Sequence, residues 1–226
     1  MTSATINAPI AVGYDNGDLI VGHDADTPVR WRLSDGGRLR SGVILGRACT
    51  GKTTLLAGIA TAAISAGMQV WSSQLSAHHP ALAVGITHRA FGIEGARDIL
   101  RDAILLMEER DAHDVREEIA LRPWPGVLII LDDAGQALAD DEIRRMVCSI
   151  PINGSWAGLG VIAATGLYDA CGGLMERQYA LLGGSMDHWW AMPNGQTSPG
   201  AFDGHLIEAD DYIPTTATPF TFNWQS

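Results

Sequence analysis

The run Gly46-Arg47-Ala48-Cys49-Thr50-Gly51-Lys52-Thr53 satisfies the pattern G-x-x-x-x-G-K-[ST] without a gap. These residue types at this spacing suit one chemistry, the capture of a polyphosphate tail. Glycines at both ends let the backbone curl so that consecutive N–H groups point inward at a β-phosphate, and a following helix adds its positive end. Lys52 supplies a mobile ammonium for the β- and γ-phosphates, Thr53 a hydroxyl for Mg²⁺, and Thr54 a hydrogen bond for the α-phosphate. The expected ligands are ATP and Mg²⁺, held by Gly46, Arg47, Ala48, Cys49, Thr50, Gly51, Lys52, Thr53 and Thr54. A chance match in a chain with 26 Gly is the competing reading. The flanks argue against it, because the loop lies between the apolar run 42–45, a strand, and residues 52–66, whose Ala, Leu and Ile content predicts a helix.

A second constellation lies further along, where Val127-Leu128-Ile129-Ile130-Leu131 runs into Asp132-Asp133. A continuous aliphatic run is the pattern of a strand buried on both faces of a parallel sheet. Two carboxylates at its end can divide the work of phosphoryl transfer. Asp132, with Thr53, is expected to hold Mg²⁺ through its water shell, and Asp133 to orient or deprotonate the attacking water. Lys52, Asp132 and Asp133 are thus the expected catalytic set. The alternative is that both acids simply favour the N-terminus of the next helix.

Other reactive side chains carry weaker signals. Cys49, Cys148 and Cys171 are widely spaced, with no CxxC pair, and read as reduced structural thiols. Cys49 differs in lying inside the phosphate loop, where an oxidant or alkylating agent would block nucleotide entry. His78, His79, His88, His188 and His205 make no tetrahedral set with cysteine at any metal-binding spacing. Trp189 and Trp190 could stack on an adenine or a base, although packing is the ordinary fate of adjacent tryptophans.

The elements that must position these groups alternate in type. Strands at 19–21 and 29–33, separated by turn formers at 24–28 and closed by Asp35-Gly36-Gly37, read as a hairpin leading into the core. After the first helix, Gly67 marks its end and residues 68–72 a second strand. Residues 73–93 read as an irregular connection with short helical pieces, 96–121 as a long surface helix ended by Pro123 and Pro125, and 140–150 as another helix. Strands are expected at 127–131, 159–164 and 187–192, and the end of the tail 203–226 as an edge strand or a docked extension. This alternation predicts a three-layer α/β fold of the P-loop NTPase (RecA-like) type, with a mainly parallel central sheet and a short N-terminal β-hairpin. The expected division is 1–40 for the leading strands, 41–200 for the ATPase core and 201–226 for an extension docked on it.

With 226 residues and 46% apolar positions, the chain can bury one sizeable core. No window approaches a membrane span and the first residues lack a secretory pattern, so a cytoplasmic location is expected. A net charge of −11 argues against coating nucleic acid by bulk electrostatics. Basic residues concentrate early, at Arg30, Arg32, Arg38, Arg40, Arg47 and Lys52, so the N-terminal third is where a polyanion would bind if one does.

The order of features resembles the FtsK/SpoIIIE branch of the FtsK–HerA motor ATPases, a group that includes DNA translocases, plasmid transfer proteins and the ATPase modules of type VII secretion. The resemblance covers roughly residues 28–190. It is carried by Pro28-Val29-Arg30-Trp31-Arg32-Leu33, the loop through Thr54, Met107-Glu108-Glu109-Arg110, the strand ending at Asp133, and Gly158-Leu159-Gly160-Val161-Ile162-Ala163-Ala164-Thr165. It implies a homo-hexameric ring that moves double-stranded DNA, or a module that engages protein substrates. It also implies an arginine supplied by the next subunit, for which Arg144, Arg145 and Arg177 are candidates. The chain departs from the family where Gly166 replaces the Gln that senses the γ-phosphate, leaving Thr165. It departs again where the second strand ends in Trp71-Ser72-Ser73-Gln74 instead of Asp-Pro-Lys, and where Asp133 stands for the usual Glu. The DNA-reading winged-helix module of the full-length translocases is not recognisable. The leading expectation is an ATP-hydrolysing motor that translocates DNA. The alternative is a weakly hydrolysing ATP-binding module that acts on protein partners, of secretion or adaptor type. A small-molecule kinase would show an arginine-rich lid, and residues 167–200 hold only Arg177.

Overall fold

The computed structural model describes residues 13–24, 26–35, 38–46, 49–75, 80–114, 125–166, 188–192, 196–198, 201–210 and 213–223. The chain opens with β1 (Gly13–Asp15), β2 (Asp18–Asp24) and β3 (Thr27–Arg32), then a small hairpin of β4 (Ser34–Asp35) and β5 (Arg38–Leu39). The phosphate-loop strand β6 (Gly42–Gly46) leads to α1 (Lys52–Ser65), then β7 (Gln69–Gln74), β8 (His88–Phe91) and α2 (Gly92–Asp114). Next come β9 (Val127–Asp132), the one-turn α3 (Gly135–Leu138), α4 (Asp141–Ser149) and β10 (Leu159–Thr165). The last elements are β11 (His188–Met192), β12 (Gln196–Ser198), β13 (Ala201–Asp210) and β14 (Ile213–Asn223).

One sheet gathers most of these strands. In the order β11, β6, β10, β9, β7, β8 they run parallel, with β6 and β9 separated by β10 alone. Beyond β11 the sheet turns antiparallel through β13, β14, β2 and β1, so that β14 lies inside the sheet, between β13 and β2. The α/β fold with a mainly parallel core and an N-terminal hairpin is thus the one the alternation of elements predicts.

Burial divides the core into two layers. One face of the sheet contributes Ile44, Val70, Leu128, Ile130, Ile162 and Ala164, which pack with Leu55, Leu56 and Ile59 of α1. Leu19, Val21, Val29 and Trp31 of the hairpin and Leu33 just after it belong to the same cluster. Enclosure between sheet and hairpin explains why α1 is apolar nearly all round, with Leu55 through Ala60 buried without interruption. On the other face Ala96, Ile99, Leu100, Ala103 and Met107 form one stripe of α2 at helical spacing, against Ile129, Leu131, Val161 and Ala163.

Differences from the predicted elements have local causes. β8 replaces part of the connection expected at 73–93, because its four residues, His-Arg-Ala-Phe, take their ladder from β7 and carry no apolar alternation to read. β7 runs two residues past Ser72, and α2 begins at Gly92, four residues before the expected start. The far end of the predicted long helix, with Pro123, lies outside the described residues. No helix among the described residues is long and apolar enough to cross a membrane.

Candidate nucleotide-binding site

The site lies where β6 and β9 end. β6 delivers Gly46, buried, to the start of the loop; Arg47 and Ala48 lie outside the described residues. Gly51 adopts φ 88°, a conformation open to glycine, and hands the chain to α1. Cys49, exposed, holds φ 61°, which costs a residue with a Cβ about 1–2 kcal/mol. Thr50 is buried and Thr54 half-buried.

α1 begins without a side-chain cap and without an acid in its first turn. Its first regular bond runs from the Leu55 N–H to the Gly51 carbonyl, 2.9 Å, so the N–H groups before Leu55 have no acceptor within the helix. The Lys52 Nζ donates to the Gly46 carbonyl at 2.9 Å and thereby joins the two ends of the loop. At the other end of α1, Gly67 (φ 83°) and Met68 donate to the carbonyls of Ile64 and Ala63, which closes the helix.

Thr53 and Asp132 meet across the sheet. The Thr53 hydroxyl is 3.1 and 3.0 Å from the two carboxylate oxygens of Asp132, which is 7% exposed. Hydroxyl and carboxylate oxygens are the donors that Mg²⁺ takes from protein, its other positions being filled by phosphate and water. Among the described residues no three of His, Cys, Asp and Glu stand close enough to hold a metal by themselves. The residues present fit the group.

Asp133 turns the other way. It is exposed, with φ 58°, a left-handed conformation that Asp tolerates better than most residues. The residue preceding α3 is Ala134, and no side chain caps that helix, so the capping alternative for Asp133 has no bond behind it. The Ala134 N–H donates to the Ala164 carbonyl at 2.8 Å, which ties the turn to the end of β10. There Thr165 is fully buried and its hydroxyl has no hydrogen-bond partner among the described residues.

Other sequence candidates are drawn into structural roles. Arg144 binds the Leu138 carbonyl at 3.1 Å and the Asp141 carboxylate, and Arg145 binds the Asp141 carbonyl at 3.0 Å; Arg177 lies outside the described residues. Arg110, buried, donates to the Ala157 carbonyl at 2.6 Å, and burial pulls its guanidinium below the usual arginine range. His88 faces Asp102 at 3.8 Å and the edge of Trp71. His78, His79 and Cys171 are outside the description, whereas His188, Trp189, Trp190 and His205 are placed by backbone only, on β11 and β13. In the early basic stretch, Arg30 pairs with Asp15, Arg32 with Asp18, and Arg38 stacks on Trp156. Gln74, noted in the sequence only as a departure from the family's Asp-Pro-Lys, is the last residue of β7 and pairs in register with Asp132.

A phosphate-loop motif between a buried parallel strand and an uncapped helix, facing an acid two strands away, is the arrangement of the P-loop α/β fold. Solved structures have the same fold. The cytoplasmic domain of the Thermomonospora curvata type VII secretion ATPase EccC superposes with a TM-score of 0.68 at 18% identity, over 99% of this chain and 30% of that one. EssC (ATPases 2 and 3) from Geobacillus thermodenitrificans gives 0.66 at 14% identity, over 99% and 47%. The T. curvata EccC ATPases 2 and 3, in complex with a signal sequence peptide, give 0.62 at 17%, over 95% and 41%. The chain therefore has the fold of the ATPase domains in this group, the one its motifs resemble, and it spans less than half the length of those chains. No protein-family model and no curated protein sequence matches it.

Proposed function

We propose that the protein binds Mg-ATP in the loop from Gly46 to Thr54 and hydrolyses it slowly, coupling the nucleotide cycle to a protein partner. The observation that carries this reading is the bond from the Thr53 hydroxyl to both oxygens of Asp132, which brings phosphate loop and acidic strand into one oxygen-rich site. Thr53 and Asp132 would hold magnesium, which neutralises charge on the phosphate oxygens. Lys52 exchanges a neutral carbonyl for an anionic acceptor when a phosphate arrives. Asp133, exposed and uncommitted to a cap, serves as the group that orients the attacking water. Thr165 reports on the γ-phosphate from the end of β10.

The partner is assigned to protein and not to DNA on charge. Arg30 and Arg32, which would have formed a basic stripe, are matched by Asp15 and Asp18, and the chain as a whole carries −11. Binding of a signal sequence peptide by EccC supports the same direction. A ring of six copies remains the assembly that the motif resemblance implies, with DNA translocation as the second reading, favoured by the complete loop and paired acids.

One experiment separates the two. ATPase rates are measured alone, with long double-stranded DNA, and with candidate secreted polypeptides, alongside the mass of the assembly in ATP. The expected result is a slow rate that DNA leaves within about twofold and that Asp133→Asn lowers about 100-fold while nucleotide affinity holds. Strong stimulation by DNA in a six-membered ring would replace the protein-directed reading with the translocase.

A further inference from the structure

The N-terminal hairpin carries a cavity that shares no residue with the phosphate loop or the acidic strand. About 430 Å³ in volume, it lies at the β1–β2 turn and is lined by Tyr14, Asn16, Gly17, Arg32, Ser34 and Asp35. That size falls within the range of ligand pockets, roughly 300–1,000 Å³. Backbone contacts fix its shape. The Gly17 carbonyl accepts from the N–H groups of Leu33 and Ser34 at 2.8 and 3.0 Å, and a Cβ at Gly17 would stand 2.2 Å from the Ser34 carbonyl oxygen. Turn and following strand thus meet as closely as two backbones can. Tyr14 is packed against the buried cluster beneath the hairpin, so the aromatic side of the cavity is held as well.

Charge decides what the cavity suits. Three arginines stand in or beside it, and each is already committed: Arg30 to Asp15, Arg32 to Asp18, and Arg38, opposite Asp35 in the β4–β5 hairpin, to the Trp156 ring. The exposed Asp35 carboxylate has no hydrogen bond or ion pair among the described residues. With Arg32 balanced by Asp18, the lining keeps one uncancelled negative charge, in a chain whose net −11 draws cations toward it. The neutral groups extend that preference. Side-chain oxygens of Asn16 and Ser34 accept hydrogen bonds, and Tyr14 offers a ring to a planar cation. A guanidinium carries five N–H donors in one plane, two of which match a carboxylate, so it can use all of these groups together.

We propose that this cavity is a docking pocket for an arginine side chain of the protein partner, its guanidinium pairing with Asp35 and lying along Tyr14. The inference deepens the protein-directed reading above and rests on it. An acidic side chain entering the same space would meet the Asp35 carboxylate and be repelled.

The test uses Nα-acetylarginine amide as the probe, with its neutral citrulline and acidic glutamate counterparts as controls. Each is titrated into the isotope-labelled full chain and followed through the amide resonances of Gly17, Ser34 and Asp35. The arginine probe should bind saturably, and Asp35→Asn should weaken it about fivefold, the upper end of what an exposed ion pair supplies. Equal affinity for either control, or no shift at these residues, overturns the inference. A second arm repeats the ATPase measurement with candidate secreted polypeptides on wild type and Asp35→Asn. The variant should keep the rate seen without polypeptide and need about fivefold more polypeptide for a half-maximal response. A response that Asp35→Asn leaves intact overturns the inference and spares the protein-directed reading. Wild type that answers to no polypeptide overturns that reading, and the occupant assigned to the pocket with it.

Discussion

The N-termini of α1 and α4 are built from opposite instructions. α4 is closed by its own side chains: Asp140 accepts from the N–H groups of Glu142 and Ile143 at 2.9 and 3.1 Å, and Asp141 and Glu142 fill the first turn. Arg97 and Arg101 reach over from α2, bonding Asp140 at 2.9 Å and Glu142 at 2.7 Å, so every charge at this end has a counterpart within the chain. α1 has no cap and no first-turn acid, and a lysine and two threonines occupy its opening turn. A helix start can be satisfied by the protein or kept for an anion, but not both. The α4 end stabilises the fold. The α1 end lacks such closure, and under the function proposed above it is kept for phosphate, with Cys49 at φ 61° beside it.

That contrast can be broken most severely at Lys52. Lys52→Ala should weaken ATP binding by about 2–3 kcal/mol, roughly 100-fold, with the midpoint of thermal unfolding almost unchanged. Isothermal titration beside a melting curve checks both halves, and full affinity in the variant would end the phosphate-loop assignment.

A milder change makes α1 resemble α4. Thr54→Asp places a carboxylate in the first turn of α1, where it competes with phosphate for the same N–H groups. ATP affinity should fall about tenfold while stability without nucleotide stays level or rises. If affinity and stability fall together, the substitution has damaged packing and the comparison loses its force.

The smallest effect comes from the α4 side. Asp140→Ala should lower the melting midpoint by about 2–4 °C and leave ATP affinity alone. The effect also depends on pH. The Ile143 N–H above all, then Arg97 and the Glu142 N–H, hold the Asp140 carboxyl below its ordinary range, with burial working the other way. A lowered folded-state value means the contribution is complete above the ordinary carboxylate range and drains away as pH falls below about 4. Melting curves should therefore separate wild type from Asp140→Ala at pH 7 and by a smaller margin at pH 3.

How far the residues themselves foretold this depends on whether an element's meaning is local. The loop motif from Gly46 to Thr53, the buried run of β9 and the helix stop at Gly67 are each written in neighbouring residues. Phosphate binding, helix ends and full burial need particular residue types at short spacing, so these were legible before any coordinates. β8 was not, because an edge strand of four residues borrows its hydrogen bonds from β7 and needs no pattern of its own. The placing of β14 between β13 and β2 was equally hidden, since ladder partners are chosen across the whole chain.

The same division runs through the site. Order along the chain determined which residues can greet a phosphate, and two acids at a strand end determined where a metal would be sought. Only the tertiary structure decided that Asp132 faces Thr53 while Asp133 faces solvent, that Arg30 and Arg32 are matched by carboxylates, and that Gln74 pairs in register with Asp132. The physical reason is that side-chain direction at a strand end, and the choice of charge partners, follow from how β6, β7, β9 and the hairpin stack around α1, a long-range packing problem that no short window of residues contains.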